Sequence, residues 1–89
     1  MAIEFSDRRR EPRVPVFERV EILFEDPMPT TVEVELNETS ERGFRISHDS
    51  QLLVPGLKVR LRRDGAVRQA RVIWTHISEG RRVSGCVFL

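Results

Sequence analysis

Four arginines, Arg8, Arg9, Arg10 and Arg13, crowd into one short stretch near the N-terminus. Arginine presents a planar fork of donors and never sheds its charge. It therefore suits phosphate oxygens and the acceptor edge of guanine, and it stacks flat on a base. Pro12 stiffens the approach to Arg13. A merely solvated run of terminal charge is the competing reading. A second cluster lies at residues 37–43, Asn37-Glu38-Thr39-Ser40-Glu41-Arg42-Gly43. Here Ser40 can donate to a ligand oxygen, and Gly43 can permit a tight turn or a close ligand approach. The competing reading is a polar turn in which Ser40 bonds to its own backbone.

Catalytic and metal-binding chemistry finds little support. His48 and His76 are the only histidines, and neither has metal-ligand spacing to Cys86 or to a second histidine. Both read as exposed or edge residues. Glu38 and Glu41 resemble an acid/base pair only in type, since a small barrel offers no deep cleft to desolvate them. No glycine-rich phosphate loop is present. Cys86 sits in an apolar, strand-like run and reads as a buried small hydrophobe in a reducing compartment. Trp74 reads as core. The phenylalanines are scattered and tyrosine is absent, so no stacking platform for a nucleic-acid polymer is evident.

The elements that must carry these residues are strands. Val20, Ile22 and Phe24 alternate with polar neighbours, as do Val32, Val34 and Leu36. Phe44 and Ile46 share a face, as do Val59 and Leu61. Ala70, Val72 and Trp74 form a further set. In the last strand Val83, Gly85, Val87 and Leu89 share one face, expected to fill the interior. Cys86 and Phe88 share the other, expected to lie beneath the arm or a partner. Pro55-Gly56 predicts a type II turn, Asp64-Gly65 a hairpin, and Ser78-Glu79-Gly80 another turn. No segment has a helical period. The expected fold is all-β: a six-stranded antiparallel small β-barrel over residues 18–89. An extended arginine-rich arm over residues 1–17 precedes it, and no long C-terminal helix follows.

Charge is segregated along the chain. Residues 18–41 hold eight acids and one base, while residues 42–89 hold ten bases and three acids. A negative side and a positive side are expected, which suits a small anion or an oriented partner better than a nucleic-acid polymer. No apolar run approaches the roughly 20 residues of a membrane span, and no secretory signal is evident. A cytoplasmic, non-membrane protein is expected.

Taken together, these features resemble the PilZ domain, a bacterial receptor module for cyclic di-GMP. Arg9-Arg10-Glu11-Pro12-Arg13 fits the family's Arg-x-x-x-Arg and is followed by Val14-Pro15-Val16. Glu38-Thr39-Ser40-Glu41-Arg42-Gly43 aligns with (Asp/Asn)-x-Ser-x-x-Gly. The runs Ala70-Arg71-Val72-Ile73-Trp74 and Gly85-Cys86-Val87-Phe88-Leu89 are also family-like. The resemblance implies a non-enzymatic receptor or adaptor that needs no cofactor beyond its ligand. Arg9 and Arg13 would hold phosphates and guanines, helped by Arg8 and Arg10. Ser40 would contact the ligand and Gly43 would give the backbone room. The ligand would bind as an intercalated pair, and a conformational change would pass to a partner protein controlling motility or biofilm formation. Glu38 departs from the family's Asp or Asn. Asn37 has suitable chemistry but reaches the site only through a one-residue register shift that would turn Glu38 elsewhere. The alternative implied by that departure is a ligand-independent interaction module. An uncovered barrel end would favour a homodimer.

Overall fold

Two-residue alternation broken by turn formers dictates strands, and strands are what form. The computed structural model describes residues 14–89. Its elements are β1 (Val14–Phe24), β2 (Thr30–Thr39), β3 (Gly43–His48), β4 (Lys58–Arg63), β5 (Ala66–Ser78) and β6 (Arg81–Phe88). They close into an antiparallel barrel in the order β1-β2-β3-β6-β5-β4, with no helix among the described residues. β1 begins at Val14, so the last four residues of the 1–17 segment are strand.

The turns follow their chemistry. Asp64 and Gly65 have φ of 52° and 81°, the left-handed pair of a type I′ hairpin, and Glu79 and Gly80 repeat it. The Leu57 N–H donates to the Val54 carbonyl at 3.1 Å across Pro55-Gly56, closing the expected type II turn.

The core is the inward set of each strand. Val20, Ile22 and Phe24 meet Val34 and Leu36, Phe44 and Ile46, Val59 and Leu61, and Ala70 and Val72, with Leu53 closing in from the β3–β4 connection. Each fully buried Ile, Leu or Phe contributes about 1.5–3 kcal/mol. The last strand is turned over relative to expectation. Ser84 and Cys86 are buried and Phe88 packs on the core, whereas Val87 and Leu89 are exposed. Both faces of β6 are apolar, so alternation alone does not select the inner one. Burial pushes the Cys86 thiol up to about 12. It stays protonated and unreactive at neutral pH.

The charge segregation of the sequence is interleaved in space. Acidic β1 lies beside basic β4, and three ion pairs cross that seam. Glu18 takes a two-pronged grip from Arg63 at 3.0 and 3.1 Å. Glu21 accepts from Arg62 at 2.7 Å, and Glu25 pairs with Arg60. Farther round, Arg81 lies 3.7 Å from Glu35. Among the described residues, neighbouring strands pair opposite charges across their seams.

His48 is buried, contrary to the exposed position expected, and its burial has a definite cause. Its Nδ1 accepts from the Ser50 N–H at 3.1 Å, so the neutral ring carries its proton on Nε2 and donates to Ser84 Oγ at 2.7 Å. Ser84 then donates to Thr75 Oγ1 at 2.7 Å, and Thr75 to the Leu53 carbonyl at 3.0 Å. This chain pins the β3–β4 connection to the barrel. Desolvation, reinforced by Arg82 and Arg81 and opposed by Asp49, holds the His48 pKa below its usual value. The unfolded chain therefore takes up this proton at higher pH than the folded one. The stabilisation is complete above about pH 6.5 and drains away as pH falls below it. Urea midpoints measured from pH 7.5 to 5 should fall for the wild type and fall less for His48→Gln. Parallel curves would exclude His48 as the cause.

Candidate functional site

The β2–β3 connection is shorter than the polar run of residues 37–43 suggests. β2 continues through Thr39, leaving residues 40–42 as the turn. The Ser40 N–H donates to the Gly43 carbonyl at 2.8 Å, and Ser40 Oγ accepts from the Arg42 N–H at 3.3 Å. Ser40 thus does bond to its own backbone. Its hydroxyl serves there as an acceptor, which leaves its proton for a second partner. Gly43 sits where β3 meets β6. A Cβ at this position would lie 2.0 Å from the Cys86 carbonyl oxygen. Its room is taken by the neighbouring strand.

A β-bulge beside this turn decides which side chains face outward. Leu36 pairs with Ile46 and Glu38 with Arg45, so Asn37 is an extra residue opposite no partner on β3. The alternation resets there. Leu36 points into the core, and both Asn37 and Glu38 turn to the outer face. Asn37 Oδ1 accepts from Ser47 Oγ at 2.7 Å, and Glu38 is paired with Arg45 at 2.7 Å. The sequence set Asn37 and Glu38 as exclusive alternatives. The bulge removes that choice.

A second bulge, at Ile73 on β5, acts the same way. Val72 pairs with Cys86 and Trp74 with Gly85, so Trp74 is shifted to the outer face and 37% exposed. It was expected in the core with Ala70 and Val72. Its indole lies across Gly85, where a Cβ would come within 2.3 Å of it. His76 stacks beside it, with centroids 4.8 Å apart and planes within 8°. Register then aligns four outer positions on four adjacent strands: Glu38, Arg45, Gly85 and Trp74. A groove of about 300 Å³ runs along this row, lined by Asn37, Arg45, Ser47, Trp74 and His76 among others.

The structure therefore sets Asn37 in the groove lining and Glu38 beside it through Arg45, with Ser40 and Gly43 in the adjoining turn and strand start, and adds two residues that sequence reasoning missed. Arg45 was legible as outward, since it alternates with Phe44 and Ile46, but its pairing with Glu38 required the bulge. Trp74 required the second bulge. Arg8, Arg9, Arg10 and Arg13 lie outside the described residues. Among the described residues no cluster of His, Cys, Asp and Glu is arranged to hold a metal ion. No helix there is long and apolar enough to cross a membrane.

The family model of the PilZ domain matches residues 7–89. The chain belongs to the PilZ family. No curated protein matches it. PilZ domains are generally cyclic di-GMP-binding modules, acting as receptors or adaptors rather than enzymes. In this PilZ domain the carboxylate of Glu38, the residue that the sequence resemblance sets at the family's Asp or Asn, is held against Arg45.

Proposed function

We propose that this PilZ domain is a cytoplasmic cyclic di-GMP receptor that passes a conformational change to a partner protein. The ligand lies along the outer groove of β2, β3, β6 and β5. Arg9 and Arg13 clasp its phosphates and guanine edges from the N-terminal side, with Arg8 and Arg10 assisting. Ser40 donates to a ligand oxygen. Glu38, aimed by Arg45, accepts from the donor edge of a guanine, and Asn37 stands beside it on the same face. Trp74 supplies an aromatic surface for a base. The observation that carries this reading is the bulge at Asn37. It turns the longer carboxylate of Glu38 outward into line with Arg45 and Trp74.

Isothermal titration with cyclic di-GMP tests it. Saturable heat is expected at micromolar ligand, together with a raised Tm, because the ligand binds only the folded state. Arg9→Ala and Arg13→Ala should abolish both while leaving the far-UV spectrum intact. Glu38→Ala should weaken binding about ten- to hundredfold, the cost of an unpaired buried donor edge, and Asn37→Ala should weaken it less. The reverse order would move the acceptor role to Asn37. No saturable binding at tens of micromolar ligand would refute the receptor reading.

A further inference from the structure

On the far side of the barrel from the turn at residues 40–42, β4 lies three strands from β3 in either direction round the ring. There Lys58 and Arg71 stand directly opposite each other on β4 and β5. Both are exposed. Like charges in a direct cross-strand pair repel and destabilise the sheet. The arginines next along β4, Arg60, Arg62 and Arg63, are each matched to a carboxylate. Neither Lys58 nor Arg71 is matched to one among the described residues. Beside them lies a depression of about 450 Å³, lined by Leu57 with Phe24 and Val59 behind it, and also by Glu25, Asp26, Arg60 and Gln69.

We propose that this depression docks an acidic segment of a partner protein. A carboxylate bridges Lys58 and Arg71, and a neighbouring apolar side chain of the same segment covers Leu57. The features of the depression select this occupant over other anions. A compact inorganic anion meets the cationic pair alone and leaves the apolar lining uncovered. A nucleic-acid polymer would bring further phosphates against Glu25 and Asp26. A peptide carrying one carboxylate next to an apolar residue meets both the cationic pair and the lining, and it relieves the Lys58–Arg71 repulsion. The site shares no residue with the groove that holds Trp74, so it stands whether or not the groove binds a dinucleotide.

The probe is a panel of dye-labelled short synthetic peptides. Each carries one Asp or Glu and one Leu or Phe at varied spacing, and each is paired with its amide counterpart bearing Asn or Gln. Fluorescence anisotropy with the full chain should show saturable binding of at least one acidic peptide, with its amide twin about tenfold weaker. Lys58→Glu combined with Arg71→Glu should abolish that binding and favour peptides with Lys in place of the acid. Lys58→Ala alone should hold or raise the Tm, since it removes a repulsion. Three results would each overturn the proposal: no carboxylate-dependent binding up to millimolar protein, a Tm that falls on Lys58→Ala, or inorganic phosphate displacing the peptide at equal concentration.

Discussion

Gly43→Ala is expected to lower the Tm by about 10–20 °C. The added methyl carbon would sit 2.0 Å from the Cys86 carbonyl oxygen and 3.1 Å from the Val87 Cα. Both obstacles are backbone, so no rotamer change relieves the clash. β3 and β6 must separate, which strains the Gly43–Val87 pairing and the 2.7 Å bond from the Phe88 N–H to the Arg42 carbonyl. Overpacking of this kind costs about 2–3 kcal/mol or more, and each kcal/mol shifts the Tm of a domain this size by about 4–8 °C. Gly85→Ala is the control. Its obstacle is the Trp74 side chain on an open surface, which can swing aside, so its thermal cost should be small. Equal Tm values for the two variants would show that the β3–β6 approach at Gly43 is looser than its geometry indicates.

The second large effect concerns the groove. Trp74→Ala should weaken cyclic di-GMP binding about 5- to 150-fold, the range that follows from roughly 1–3 kcal/mol per stacked base. The Tm should barely move, because the indole is partly exposed and outside the core. Trp74 is the only tryptophan in the chain, so intrinsic fluorescence reports on it alone and should be quenched as ligand binds the wild type. Gly85→Ala should weaken binding as well, by displacing the indole without altering it. Undiminished affinity in Trp74→Ala would remove the base-stacking role and leave the polar end of the groove as the whole site.

Most of the fold was legible because most of the chain keeps strict alternation. Val32, Val34 and Leu36, or Val59 and Leu61, declare their inner faces directly, and Asp64-Gly65 declares its turn. What escaped was wherever alternation breaks or fails to discriminate. Trp74 follows Ala70 and Val72 in phase, and nothing local marks Ile73 as an extra residue. On β6 both faces are apolar, so the inner face was assigned backwards. The burial of His48 depends on Ser84, which lies 36 residues away. The alternation of Phe44, Ile46 and His48 sets the inward phase of the ring, but nothing within β3 names the partner that satisfies it. The turn holding Ser40 and Gly43 was visible from its spacing, but the reason for the glycine was not. It is the backbone of β6, a partner that only tertiary structure supplies. Arg45 was legible as outward but not as the holder of Glu38, for the same reason.

The extra residue on β2 also governs how this scaffold tolerates insertions and deletions. Excising Asn37 would leave Glu38 directly after Leu36 in plain alternation, still facing outward and still opposite Arg45. Adding a residue to β3 between Arg45 and Ile46 would do the opposite: it would give Asn37 a partner, flatten the bulge and swing the carboxylate of Glu38 toward the oily interior, where an unpaired charge is heavily penalised. Descendants of this chain can therefore replace or lose the extra residue more freely than they can lengthen the strand that faces it.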